Sequence, residues 1–238
     1  MEFSGIKALV TGSAKGLGRQ VALDLASQGA DVCINYRHSK KEAEEVVRDI
    51  RKMGQKSFAL KADVAKAKDA TRLVNDAANK LGGLDILVNN VGNYLKKDLS
   101  EVTAQEWEGM IAGNLNCTFY CTQAALPRMR KQKFGRIVNM GVAGSAKIEP
   151  KPATTAYSIA KTGVLMLTKT VAATEAKNGI TCNMVSPGVM ERSVVHPQMP
   201  MGRDAKLEEV SRAVLFLASR KSGYITGQNM EVAGAYKL

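Results

Sequence analysis

Tyr157 and Lys161 stand four residues apart in Tyr157-Ser158-Ile159-Ala160-Lys161, inside a segment whose apolar spacing predicts a helix over 156–177. Residues at that spacing share a helix face, so an ammonium can sit beside a phenol. A free phenol titrates near pH 10, too high for efficient proton transfer at neutral pH. Lowering it by ~2–3 units takes ~3–4 kcal/mol of preferential stabilisation of the phenolate, which a nearby cation can supply. A solvated Tyr–Lys pair on a surface helix has the same spacing, so the chemistry needs a context that brings a ligand to it.

That context lies near the other end of the chain. The apolar run 7–10 leads directly into Thr11-Gly12-Ser13-Ala14-Lys15-Gly16-Leu17-Gly18 and then into a helical pattern. Gly12, Gly16 and Gly18 permit a tight turn, close approach of a pyrophosphate and close packing of helix on sheet. The helix start presents free N–H groups and the positive end of its dipole to the phosphates, which nominates Ser13, Lys15 and Leu17 along with the glycines. An NAD site usually places a carboxylate at the end of the second strand to hold the ribose 2′-hydroxyl. Here that stretch reads Asn35-Tyr36-Arg37-His38-Ser39, without an acid. Arg37 can grip a 2′-phosphate, Ser39 can donate to it, and Lys15 can reach it from the turn. NADP(H) is the expected dinucleotide; the bland alternative leaves Lys15 and Arg37 as solvated charges.

The elements that must position these residues alternate along the whole chain. β-Branched apolar runs predict strands at 7–10, 31–36, 57–61, 85–89, 136–140, 181–185 and 229–232. Helical patterns fall between them, as at 18–28, 40–53, 65–81 and 156–177. In the second helix Ala43, Val46, Val47 and Ile50 form an apolar stripe within a charged surface. Such alternation predicts an α/β fold, a doubly wound Rossmann-type parallel sheet of about seven strands with helices on both faces. No repeat or linker divides the chain, so one domain over 1–238 is expected to hold both the cofactor and substrate sites. The one irregular stretch is 187–204.

The chain has 238 residues, 45% of them apolar and 24% charged, which suits a folded domain rather than a disordered one. No apolar run approaches the length of a membrane span. Residues 1–5 leave no room for a signal peptide before the first strand. Cys33, Cys117, Cys121 and Cys182 show neither metal-ligand nor disulfide spacing; together these features lead to the expectation of a cytoplasmic protein without a metal site. The 34 Lys plus Arg against 22 Asp plus Glu give a net charge of +12. That surplus raises nucleic acid as a partner, but no aromatic-interleaved basic strand or helix-turn-helix pattern supports it.

With Asn89-Asn90-Val91-Gly92 after the fourth strand and Tyr157-Ser158-Ile159-Ala160-Lys161 opening a later helix, the chain resembles the short-chain dehydrogenase/reductase family over essentially its full length. Asp63-Val64, Pro187-Gly188 and Tyr224-Ile225-Thr226-Gly227-Gln228 extend the likeness. Its flavour is that of 3-oxoacyl-carrier-protein reductases, with some likeness to pteridine reductases in Asn35–Ser39. The resemblance implies a hydride transfer between NADP(H) and a carbonyl, with Tyr157 as general acid/base and Lys161 also holding the nicotinamide ribose. It implies a proton-relay role for Asn114. It also implies cofactor contacts at Ala62, Asp63, Val64, Asn90, Val91, Gly92, Met140, Pro187, Gly188 and Val189, and a homotetramer or homodimer built through the Tyr157 helix and the last strand.

The likeness fails at several points. The family serine just past the fifth strand, which donates to the substrate carbonyl, falls at Val142, and valine cannot donate. Ser145 lies twelve residues before Tyr157, and a shifted loop can bring it to the substrate instead. After Pro187-Gly188-Val189 come Met190, Glu191, Arg192 and Ser193 in place of the usual threonine, and the segment to Arg203 is short. Substrates in view are ketones and 3-oxoacyl groups on an acyl carrier protein or CoA, with pterins or imines as the alternative within the family. Ala173 stands where carrier-protein reductases tend to carry an arginine for the acidic partner; Arg128, Arg130, Lys131 and Lys133 form a basic cluster, but such clusters are usually solvated faces, which weakens the carrier reading without removing it. The rival of another class is a dinucleotide-binding sensor or scaffold that has lost turnover, motivated by Val142.

Overall fold

The computed structural model describes residues 1–191, 193 and 196–236. Seven strands form one parallel sheet in the order β3-β2-β1-β4-β5-β6-β7. They are β1 (Lys7–Val10), β2 (Asp31–Tyr36), β3 (Ser57–Lys61), β4 (Ile86–Asn89), β5 (Gly135–Met140), β6 (Ile180–Pro187) and β7 (Asn229–Val232). Seven helices connect and flank them: α1 (Gly16–Ser27), α2 (Lys40–Lys52), α3 (Ala67–Leu81), α4 (Ala104–Ile111), α5 (Cys117–Gln132), α6 (Thr155–Glu175) and α7 (Leu207–Ala218).

Alternation along each strand explains why both faces are covered. In β1, Ala8 and Val10 pack with residues of α1, α2 and α7, while Leu9 packs with α3, α5 and α6. In β2, Val32 and Ile34 point to the first layer and Cys33 to the second; in β4, Ile86 and Val88 oppose Leu87 in the same way. Side chains on successive strand residues point to opposite faces, so a strand buried on both sides must be apolar throughout. The near-continuous runs read from the sequence are that requirement.

The expected doubly wound sheet is present, with differences at the ends of elements. β6 extends beyond 181–185 because its pairing with β7 continues through Ser186↔Glu231 and Pro187↔Val232. α1 starts at Gly16, two residues before its predicted start. α3 starts two residues after its predicted start, because 63–66 form a turn closed by Lys66 N–H donating to Asp63 O at 3.0 Å. The stretch after β6 holds no helix before α7 among the described residues; Met190 bridges Ala205, and Arg192 lies outside the described residues. No helix among the described residues is long and apolar enough to cross a membrane.

The strand order reverses between β1 and β4, where a crevice opens beyond the carboxyl ends of the strands. The turns after these two strands, 11–18 and 90–92, therefore face each other across the site.

Candidate active site

At the crevice, each glycine of the first turn meets a different demand. Gly12 has φ +60°, and a Cβ there would lie 2.9 Å from Val91 Cγ2. Gly16 has φ +55° but open space around it. At Gly18 a Cβ would lie 2.5 Å from Asn90 Nδ2 and 2.7 Å from Gly12 O. The turn is laced to its neighbours by side chains. Asn90 Nδ2 donates to Thr11 O at 3.0 Å and Gly12 O at 3.2 Å, and Asn90 N–H donates to Thr11 Oγ1 at 2.9 Å.

Asn35, which the sequence reading passed over, organises the other side. Its Oδ1 accepts from Gly12 N–H at 3.0 Å, while its Nδ2 reaches Leu60 O and Ala62 O, both at 3.3 Å. A single amide thus ties β1, β2 and β3 together. The available signal was a polar residue inside an apolar strand, which must find partners when buried. Ser13 is fully consumed by this network: its Oγ donates to Val10 O at 2.7 Å and accepts from Asn35 N–H at 3.1 Å, and its N–H donates to Asn35 O at 3.0 Å. Ser13 shapes the turn, and the N–H groups at Gly16, Leu17 and Gly18 are the ones without an intrahelical acceptor.

Tyr36, Arg37, His38 and Ser39 leave β2 at the same edge, with Arg37 and His38 exposed. Asp63 and the buried Ala62 and Val64 follow β3 beside them. Both cations expected at a 2′-phosphate face carboxylates: Lys15 Nζ lies 2.7 Å from Glu42 Oε1, and Arg37 lies 3.9 Å from Asp63 Oδ2. These pairs are solvent-exposed, so they are weak and free to rearrange.

A second group of residues gathers beyond β4, β5 and β6. Tyr157 near the start of α6 lines a cavity of about 740 Å³ together with Gly92, Val142, Ser145, Pro187, Gly188, Val189 and Tyr94. Lys161 is buried one turn further along, its Nζ 5.8 Å from the Tyr157 ring centroid and donating to Met140 O at 2.8 Å. No carboxylate pairs with it among the described residues. Burial pulls its pKa down to about 8, and burial with the nearby Tyr94 pushes Tyr157 up to about 12. The expected lowering of the phenol is therefore reversed. The ammonium sits by the ring rather than at the hydroxyl, and desolvation of a phenolate outweighs it.

Asn114 is fully buried in a π-helical turn, Ala112–Asn116, between α4 and α5. Its Nδ2 donates to Asn93 Oδ1 at 2.7 Å and Met110 O at 3.0 Å, which leaves Oδ1 without a partner. A Cβ at Gly92 would lie 2.8 Å from that oxygen and 3.2 Å from Lys161 Nζ, so glycine is required where the two groups approach. Ser145 Oγ is likewise buried and unpartnered. Tyr94, not anticipated, packs its ring edge-on to Tyr157 at 5.1 Å between centroids. Cys117 and Cys121 are free and buried in the core. The cavity wall thus carries a neutral phenol, with a buried ammonium packed by its ring, and a serine whose hydroxyl has spare hydrogen-bonding capacity.

Comparison with known proteins gives concordant likenesses. A family model described as enoyl-(acyl carrier protein) reductase matches residues 12–237. The 3-oxoacyl-[acyl-carrier-protein] reductase of Staphylococcus aureus is 38% identical over 238 residues, covering 95% of this chain and 96% of that one. Among solved structures, a Serratia marcescens short-chain dehydrogenase/reductase superposes with TM-score 0.93 at 31% identity over 100% of both chains. A short chain dehydrogenase from Burkholderia cenocepacia, in complex with NADP, superposes with TM-score 0.91 at 29% identity and 98% coverage of each.

Proposed function

The chain belongs to the short-chain dehydrogenase/reductase family, and from that premise we propose that it is an NADP(H)-dependent reductase of ketone or 3-oxoacyl-type carbonyl groups, with Tyr157 as the proton donor. The observation that carries the reading is that Tyr157 and Ser145 line one cavity while the buried Lys161 packs its Nζ 5.8 Å from the Tyr157 ring centroid.

The residues suit the cofactor. A Cβ at Gly12 or Gly18 would strike Val91, Asn90 or the turn's own carbonyl, so these glycines keep the turn tight, while Gly16 borders open space that a pyrophosphate can approach. Lys161 has donors beyond the one given to Met140 O, available to ribose hydroxyls. The absence of an acid between Tyr36 and Ser39, with Lys15 and Arg37 at hand, supports a 2′-phosphate. Reduced nicotinamide, when bound, supplies the hydride to the carbonyl carbon.

The protein supplies the rest. Burial keeps Tyr157 a neutral phenol, which is the form that donates a proton to the carbonyl oxygen as the new C–H bond forms. Ser145 donates a hydrogen bond to the same oxygen, taking the part that Val142 cannot. Asn114 Oδ1 and Lys161 Nζ both border Gly92, and the unpartnered Oδ1 is an acceptor for a water that would return the proton towards Tyr157.

The likeness to 3-oxoacyl-[acyl-carrier-protein] reductases supports a thioester on a carrier protein or CoA as substrate. The basic cluster meant for an acidic carrier is smaller than its sequence implies, because Arg130 makes two hydrogen bonds to Glu175, at 2.8 and 2.6 Å. We assign the protein to the cytoplasm, with all its chemistry in one Rossmann-type domain.

The test is Tyr157→Phe. Turnover of NADPH with a panel of ketones and 3-oxoacyl thioesters should fall by at least ~10² while NADPH affinity, read by fluorescence, stays within about twofold. An unchanged rate rejects Tyr157; a wild type inert across ketones, thioesters, pterins and imines favours the sensor reading. NADPH should bind more tightly than NADH, and Arg37→Ala should narrow the gap by about tenfold. Equal binding of the two by the wild type removes the 2′-phosphate argument.

A further inference from the structure

The loop after β5 is held on three sides, and this holding bears on a hydroxyl delivered three residues later than Val142. Ala143 donates its N–H to Pro187 O, at the end of β6, over 3.0 Å. Thr162 Oγ1, on α6, donates to Ser145 O over 3.2 Å. Gly144 donates its N–H to Glu231 Oε1, on β7, over 3.0 Å. Within the loop, Ser145 N–H closes onto Val142 O at 3.1 Å while Gly144 takes φ +77°, a left-handed conformation that suits glycine. The outcome is that Ser145, only 5% exposed, is among the residues lining the cavity, and its buried Oγ has no partner of its own. The position from which that hydroxyl is delivered is therefore set by the backbone that bears it.

The geometry points to Glu231 as a positioning residue of the carbonyl site: its carboxylate anchors Gly144 N–H and so fixes the direction of the Ser145 hydroxyl. This rests on the reading of Ser145 as donor to the substrate oxygen. A regular strand end, such as the one at Met140, is held by its ladder; a tight turn beyond it has no ladder and must take an acceptor from a neighbour. The edge strand provides that acceptor, from a residue that does not itself line the cavity. Donor placement within a fraction of an ångström is what hydrogen-bond stabilisation of a developing oxyanion depends on.

Glu231→Gln keeps an oxygen acceptor, and Glu231→Ala removes it. Amide hydrogen exchange across 141–147 should quicken about tenfold or more in E231A and stay at the wild-type rate in E231Q. With a ketone substrate, kcat should fall about tenfold in E231A, a fraction of the 10²–10³ cost of losing an oxyanion donor. The KM for the ketone and the Kd for NADPH should change by less than about twofold, and E231Q should behave as wild type. In a Ser145→Ala background E231A should have no further effect, since the donor it places is gone. Wild-type exchange in E231A overturns the proposal. So does a kcat loss that adds in full to that of S145A, or an E231Q that fails like E231A while melting at the wild-type temperature. An S145A enzyme with unchanged kcat overturns the donor reading itself, and the role of Glu231 with it, even where exchange shows the loop to be anchored.

Discussion

At the scale of single residues, Lys161 shows what the site demands of the fold. A lysine ammonium 4% exposed, with a carbonyl for a partner and no carboxylate, has lost most of its hydration. Its pKa falls from 10.5 to about 8, so between those values the unfolded chain binds more protons than the native one. Stability on this account rises as pH climbs from 8 to 10.5, and below pH 8 the full cost of about 3 kcal/mol is present. Lys161→Met should therefore abolish turnover and yet raise the melting temperature near pH 7 by a few degrees, less whatever the orphaned Met140 carbonyl costs. The gain should shrink as pH is raised toward 10. Calorimetry of both proteins at pH 7 and pH 9.5 measures this, and a lower melting temperature at pH 7 contradicts it.

At the scale of elements, the first turn was legible because glycine has few uses, and a strand–glycine–helix order restricts them further. The sequence could not separate the glycines by role, since that depends on what faces each one. Gly18→Ala would push a methyl against Gly12 O and Asn90, both fixed by hydrogen bonds, whereas Gly16→Ala meets open space and is penalised only by its φ of +55°. We expect Gly18→Ala to destabilise by ~2–4 kcal/mol and to abolish NADPH binding, and Gly16→Ala to cost ~1–2 kcal/mol and weaken binding only partly. Urea denaturation with fluorescence titration distinguishes them, and equal effects would mean that the turn adapts. Asn35 escaped the reading because it sits within an apolar run and acts through three strands adjacent only in space. The 141–145 loop escaped for a similar reason: counting residues placed Val142 and Ser145 correctly in order, but its anchor lies 87 residues further along.

At the scale of the whole molecule, the net charge of +12 turns out to say little about the site, where Lys15 and Arg37 each face a carboxylate and Lys161 is buried. The apolar surface says more. α6 presents Ile159 and Met166 to solvent, seven residues apart and so on one face, with Met166 70% exposed; Phe119 of α5 and Trp107 of α4 are exposed on neighbouring helices. Phe216 at the end of α7 and Tyr224 before β7 are also exposed, beside the strand that closes one edge of the sheet. Apolar side chains of this size exposed in groups mark association surfaces, and an uncovered edge strand invites a partner. They fall on the helix that bears Tyr157 and at the last strand, the two places where the family likeness predicts contacts between subunits. A charge at the centre of the α6 face should therefore break one of the two contacts and spare the other. Met166→Glu is expected to reduce a tetramer to a dimer, or a dimer to a monomer, at micromolar concentration by light scattering. A wild-type protein that is monomeric throughout that range would show that these side chains cover no second copy of the chain.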